Sequence, residues 1–338
     1  MQPIEGFLIE SVENIIFDVK GLVHPPDKVV AFPRFIPDLE GSRRHGEAKY
    51  RKVYSLSERF MFLEENLPSY VVYDSVFDEK LCEVPLRRVK RVYSPINYLE
   101  KLRKKRKLEG LEAAAFQCLK FLKEEARVPW NKLGVSGSLL VGLHTATSDI
   151  DPVVYGVENC WKVHSALRKL LEEDDTPFQP YGLADLRKLF DFRSKDTLMS
   201  FEDFVAVESG KVFQGKFLNR DYFIRFVKAP NEISEKYGDV RYKNCGYAKI
   251  EAVVVDDAES IFTPCTYKIE DVKVVEGPKL QPIKEIVSFR GRFCEQAKKG
   301  ERVKAQGKIE HVKDYGKNHE YFRLLIGNNP SDYLVLKR

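Results

Sequence analysis

Methionine is scarce in this chain of 338 residues, at three, while charged residues make up 32%. A Lys- and Glu-rich chain poor in labile side chains points to a thermophile. No stretch approaches the roughly 20 apolar residues of a membrane span, and the first residues show no basic region leading into an apolar one. A soluble, cytoplasmic protein with no membrane partner is expected. The six cysteines, Cys82, Cys118, Cys160, Cys245, Cys265 and Cys294, are scattered without a C-x-x-C pair. That pattern argues against a zinc cluster and for separate buried thiols, with one internal disulfide as the alternative in a hyperthermophile. No two histidines have zinc spacing. His24, His144 and His164 are expected in packing or loop roles, with nucleotide contact as the alternative for His144. No internal repeat or low-complexity tract is present.

The length suits two or three modest domains, and the pattern of the chain divides it into three. Over 1–95, short apolar runs such as Ile15 to Val19 and Val29 to Phe32 are punctuated by Gly and Pro, which predicts strands. Ser55-x-x-Glu58 opens a short helix as a capping box. From Pro95 the spacing becomes helical: Leu99 and Leu102 lie three apart, and after a basic run Leu108, Leu111, Ala115, Cys118, Leu119 and Leu122 keep helical spacing. The run Lys101 to Lys107 is a solvated helix face or a phosphate contact. Over 96–230 a core is expected: a short strand at Leu133 to Val135, a strand from Asp149 to Tyr155, and a helix capped by Asn159. A second helix at Phe201 to Glu208 and a β-prone run from Asp221 to Val227 complete it. Residues 231–338 read as repeated strands, among them Ala248 to Val255 and Glu301 to Glu310, with Val303, Ala305, Gly307 and Ile309 on one face. This predicts a small β-barrel-like domain, with an OB-like barrel as one form.

Charge is spread unevenly. From Lys279 to Arg338 there are 14 Lys and Arg against 7 Asp and Glu, a balance of +7 inside a chain of +5, which leaves −2 for the rest. A basic tail domain suits a polyanion such as RNA; an ordinary Lys-rich surface is the alternative.

The chemistry concentrates at Ser136-Gly137-Ser138, followed by Ser148-Asp149-Ile150-Asp151. On a strand, residues two apart share a face, so Asp149 and Asp151 point together while Ile150 points into a core. Two carboxylates this close repel unless a cation lies between them. Mg²⁺ or Mn²⁺ is the expected cofactor, with water and phosphate oxygens filling the remaining positions. Gly137 lets backbone amides approach a phosphate, the Ser138 hydroxyl can donate to it, and a helix starting there would add its positive end. Ser136, Gly137 and Ser138 are therefore the candidate nucleotide-binding residues.

The pattern of Gly-Ser, about ten residues, then D-x-D between apolar neighbours resembles the DNA polymerase β-like nucleotidyltransferases. More narrowly, Gly134 to Leu143 with Ser148-Asp149-Ile150-Asp151 resembles a family of predicted archaeal nucleotidyltransferases. Tyr237-Gly238-Asp239 and Phe262-Thr263-Pro264-Cys265 extend that likeness along the chain. The resemblance implies an α+β fold with a polymerase β-like core, and in-line attack of a hydroxyl on the α-phosphate of an NTP. It also implies a third carboxylate on a later strand beside the D-x-D. The family pattern places an Asp two residues before an Arg, but Phe223 falls there, ahead of Arg225. Asp221, two residues earlier on the same face, is the first candidate for catalysis and metal binding alongside Asp149 and Asp151. Glu251 is the second, and no third ligand is the remaining case. Among Arg187, Arg193, Lys195, Lys211 and Arg220, the triphosphate clamps are taken as Arg193 and Lys211. RNA is the first acceptor and a protein or small-molecule hydroxyl the second. A domain that has lost catalysis and only binds RNA or nucleotide is the alternative from another class.

Overall fold

The computed structural model describes residues 2–195 and 199–337. Helix makes up 28% and strand 37%, so the chain is of the α+β class. It forms two compact units, each drawn from three segments. One comprises Met1–Val72, Cys82–Pro180 and Val212–Ser234; the other comprises Tyr73–Leu81, Tyr181–Lys211 and Glu235–Arg338. The strands of 1–95 and the core expected over 96–230 thus share the first unit, apart from 73–81 and 181–211.

The chain opens with an eight-stranded sheet, in the first unit except for Tyr73–Leu81: β1 (Leu8–Ser11), β2 (Ile16–Val19), β3 (Lys28–Pro37), β4 (Arg43–His45), β5 (Ala48–Lys52), β6 (Val71–Asp74), β7 (Glu79–Pro85) and β8 (Val89–Tyr93). The order β4-β5-β3-β2-β1-β8 carries β7 as a further partner of β3. Ser55 caps α1 (Leu56–Asn66), accepting from the Glu58 amide, as the capping box predicts. Ser94 caps α2 (Pro95–Lys104), with Pro95 in its first turn, where a missing N–H costs nothing. The basic run closes α2 and continues past it. Lys104, Lys105 and Lys107 pair with Glu100, Glu112 and Glu109, so this part of the run is a solvated, ion-paired surface.

After α3 (Gly110–Ala126) the chain builds a mixed sheet. β10 (Pro152–Tyr155) lies between β9 (Leu133–Val135), antiparallel to it, and β14 (Arg225–Val227), parallel to it. The single turn α4 (Gly137–Leu140) joins β9 to the D-x-D segment. β11 (Phe178–Gln179), β12 (Gln214–Phe217) and β13 (Arg220–Phe223) form the adjoining sheet. The β-prone run from Asp221 is therefore two strands, broken where the Ile224 amide turns to the Phe213 carbonyl. α5 (Val157–Glu172) begins two residues before Asn159. The Glu232 carboxylate accepts from the Val157 amide at 3.0 and 3.1 Å, while the Asn159 amide donates to the Tyr155 carbonyl. The acid from a distant segment has displaced the expected local cap.

His24 is buried in this unit, its Nδ1 accepting from the Val30 amide. Burial pushes its pKa down to about 4. The unfolded chain protonates the ring near 6.5, so its contribution is present above that pH and is lost as pH falls toward 4. Relative to a His24→Gln variant, the native protein should lose about 3 kcal/mol of stability between pH 6.5 and 4. Urea titrations of both proteins across that range check the slope.

In the second unit, α6 (Leu183–Arg193) and α7 (Phe201–Glu208) pack through Phe190 against Phe201 and Phe204. Six strands follow: β15 (Val240–Asp256), β16 (Cys265–Glu276), β17 (Ile283–Ser288), β18 (Arg302–Asp314), β19 (His319–Leu325) and β20 (Tyr333–Leu336). The first five run in the order β15-β16-β17-β19-β18 and close on themselves through β15–β18; β17 and β19 are parallel and β20 adds to β18. Val303, Ala305, Gly307 and Ile309 are all buried, so the predicted alternation marks the inner face. Across both units all six cysteines are free and five are buried.

Candidate active site

Three short pieces of backbone hold Asp149 and Asp151 together. The Ile150 amide donates to the Asp221 carbonyl and the Phe223 amide to the Ile150 carbonyl, both at 2.9 Å. Ile150 is fully buried, which fixes the flanking aspartates on the opposite face. Pro152 has no N–H, and regular β10 begins there. The Ser136 amide donates to the Asp151 carbonyl at 2.8 Å, and the Ser136 hydroxyl to the Gly6 carbonyl at 2.6 Å. Ser136 is thus a structural residue in this site, clamping β9, the D-x-D segment and the N-terminal chain.

Gly137 meets both requirements of its position. Its φ is +65°, and a Cβ there would lie 1.7 Å from Asp151 Oδ2. The carboxylate rests directly on the glycine backbone. Beside it, the Ser138 hydroxyl is buried without a hydrogen-bond partner. α4 spans only four residues before Val141 leaves helical geometry, so the positive helix end expected here is not realised. The donors on offer are the loop amides and the Ser138 hydroxyl.

The electrostatics are those of two uncompensated acids. Among the described residues, neither Asp149 nor Asp151 has an ion-pair or side-chain hydrogen-bond partner. Burial, and then repulsion from Asp149, pushes the Asp151 carboxyl up to about 7, against the pull of Lys52, Arg225 and Arg34. Burial, and then crowding by Arg34, pushes the Lys52 ammonium down to about 8, while Asp149 and Asp151 act in the other direction.

The remaining predicted site residues lie elsewhere or are engaged. Asp221 is level with Asp149 on the neighbouring strand, as the Ile150–Tyr222 pairing dictates. Its exposed carboxylate, however, pairs with Lys216 across the β12–β13 hairpin at 2.9 Å. Glu251 lies on β15 of the second unit, bonded to Lys337. Among the described residues, no three acids, histidines or cysteines converge to hold a metal, so neither candidate completes a third-carboxylate site. Arg193 and Lys211, the expected triphosphate clamps, are engaged as well. Arg193 pairs with Glu208 at 2.7 Å, and the fully buried Lys211 ammonium donates to Glu208, the Arg292 carbonyl and Gln296 at 2.6 to 2.8 Å. An ammonium with three such bonds has no proton left for a phosphate. His164 packs edge-on against Trp161 and Phe226, and His144 is exposed on the loop.

Residues not expected from the sequence surround the pair. Arg225 reaches Glu5 at 3.0 Å and Asp18 at 3.4 Å, and Lys20 joins the same two acids. This buried network ties β2 and the N-terminal chain to β14, and its charges hold Arg225 well above the usual guanidinium range. Arg34 and Lys52 come from β3 and β5, and Arg43 from β4 donates to the Leu143 carbonyl at 2.6 Å. Only Arg225 carried a signal in the sequence, through its register after Phe223.

The geometry defines a site of two carboxylates facing a glycine-serine loop on a mixed sheet. The chain is 33% identical over 341 residues to uncharacterized protein MJ1086 of Methanocaldococcus jannaschii, with 98% of each chain covered. It belongs to the same family as that archaeal protein. No family model and no solved structure matches it.

Proposed function

We propose that the protein is a metal-dependent nucleotidyltransferase that moves a nucleoside monophosphate from an NTP to a hydroxyl, with RNA as the first acceptor. The observation carrying this reading is the co-facial pair Asp149 and Asp151, without side-chain partners among the described residues, with Asp151 pressed against the Gly137 turn. A divalent cation, Mg²⁺ or Mn²⁺, fits two such carboxylates, and held there it would polarise phosphoryl oxygens. The loop amides and the orphaned Ser138 hydroxyl are suited to orienting phosphate oxygens. With Asp221 turned to Lys216, substrate oxygens take the share of a third acid. A later strand lying beside the D-x-D segment supports a polymerase β-like core. The closed five-stranded ring of the second unit supports an OB-like barrel. Its exposed Lys298, Lys299 and Arg302 support a polyanionic acceptor.

The engaged state of Asp221 favours a second reading, a nucleotide-binding module without transfer. One experiment separates the two. Mn²⁺ with NTP should raise the melting temperature of the native protein, corresponding to about 2.7 kcal/mol at a hundredfold excess over Kd. Asp149→Ala/Asp151→Ala should show no rise, and α-labelled NTP should transfer label to RNA. An equal rise in the double variant refutes the site. A native rise with no label in RNA, protein or small-molecule fractions selects the binding module.

A further inference from the structure

The strands of the N-terminal sheet carry cations to the carboxylate pair. Lys52 closes β5, paired with Phe35 of β3, and Arg34 is the residue before Phe35. Both cations share one ring, with Lys52 Nζ 5.0 Å and the Arg34 guanidinium carbon 5.3 Å from the Tyr54 centroid. Arg34 also donates to the Val53 carbonyl at 3.3 Å. From the neighbouring β4, Arg43 reaches the Leu143 carbonyl and, at 3.5 Å, the Ser148 hydroxyl. These two residues begin and end the loop leading into Asp149.

Among the described residues, none of the three cations makes an ion pair within 4.0 Å, although all are partly buried. Phe35, next to Arg34, and Tyr50, two residues before Lys52, pack in one buried cluster with Leu140, Val141 and Leu143, so the strands that bear these cations lie against the loop between Ser138 and Asp149. Ordinary buried cations sit in contact with their acids, as Lys211 and Arg225 do here. The three cations of this sheet instead border the loop into Asp149 without touching an acid. Like charges held together beside two acids that touch no cation suit a ligand of both signs, a metal-bound polyphosphate, whose cation meets the carboxylates and whose oxygens meet the lysine and arginine.

We propose that Lys52 and Arg34, carried by the N-terminal sheet, form the polyphosphate-binding wall of the Asp149–Asp151 site, with Arg43 bracing the loop between them. This rests on the nucleotidyltransferase reading and adds which residues recognise the triphosphate. The wall distinguishes nucleotides by phosphate number, since a monophosphate bound at the carboxylates has no β- or γ-oxygens to reach it.

Calorimetric titration of the full chain with ATP and with AMP, each with Mn²⁺, tests the assignment. Lys52→Met, which keeps the apolar stem, should weaken ATP binding about tenfold to hundredfold, the range of a charged hydrogen bond. AMP binding should change less than about threefold on the same grounds, and Lys52→Arg should retain most of the ATP affinity. Arg34→Met should act in the same direction and serves as the second variant if Lys52→Met does not fold. ATP affinity equal to native in folded Lys52→Met and Arg34→Met overturns the wall while leaving the parent reading intact. Equal weakening of ATP and AMP overturns it as well, because that is the mark of a structural role. A native chain that binds no ATP refutes the parent reading and the wall with it.

Discussion

Gly137→Ala should abolish the nucleotidyl transfer proposed above, by at least about a hundredfold, the usual cost of misplacing a reacting group by an ångström. A Cβ at this position would overlap Asp151 Oδ2 at 1.7 Å and Cγ at 2.5 Å. Either the carboxylate rotates away from Asp149 or the loop moves off the strand, and both break up the carboxylate pair. The φ of +65° adds about 1–2 kcal/mol of left-handed strain for alanine. Gly142→Ala provides the control. Its φ is similar at +67°, but its Cβ would meet only the exposed His45 ring at 3.0 Å, the movable end of a side chain. The strain is matched and the collision is not, so Gly142→Ala should keep transfer within a few-fold of native. Initial rates with labelled NTP, alongside the Mn²⁺–NTP melting shift, read both variants. Near-native transfer by Gly137→Ala would remove the Asp151–Gly137 contact from the mechanism.

The largest stability effect should come from Glu208→Ala in the second unit. Glu208 faces two cations, Arg193 at 2.7 Å and Lys211 at 2.6 Å, and the Lys211 side chain is 0% exposed. Burial already pushes the Lys211 ammonium down, with the Glu208 carboxylate opposing. Removing that carboxylate takes from two largely buried cations an acid that touches both, at a cost of about 3–5 kcal/mol. The double variant Glu208→Ala/Lys211→Met should recover much of the loss, because an apolar side chain needs no counter-ion. Denaturant midpoints of the native, single and double variants decide this. A single variant within about 1 kcal/mol of native, the usual range of an exposed ion pair, would show that Glu208 does not stabilise the cluster.

The Gly-Ser and D-x-D halves were legible in the sequence because a loop of ten residues joins them and the strand period fixes which side chains share a face. The same period made β18 readable, since its inner residues alternate without interruption. Asp149's other neighbours were not legible. Lys52 and Arg34 lie about a hundred residues earlier, in strands whose pattern gives no sign of what they pack beside. Asp221 lies in a β-prone run that the sequence shows, but the hairpin partner that engages its side chain, Lys216, belongs to a strand the pattern does not reveal. Arg193 and Lys211 have only their charge in the sequence to suggest a phosphate contact. Glu208, three residues before Lys211, was the visible warning, because an acid and a lysine at that spacing pair readily on a helix end. α5 shows the same limit, since Glu232 stabilises its first turn from 75 residues further on.

The interleaved segments also set a timetable for the ribosome. β9 and β10 have both been synthesised by residue 155, yet β14, the parallel neighbour of β10, begins at Arg225. At about 5–20 residues per second, the interval from the end of β10 to the end of β14 lasts about 4 to 15 seconds. During it, the edge of Val153 to Tyr155 that β14 will cover has no native strand beside it, while the excursion 181–211 into the other unit is being made. An apolar strand edge left open that long invites mispairing with other nascent chains. The first unit therefore cannot be completed until Ser234 has been added, and a message stalled anywhere between codons 155 and 225 should yield a sticky, chaperone-bound product rather than a folded fragment.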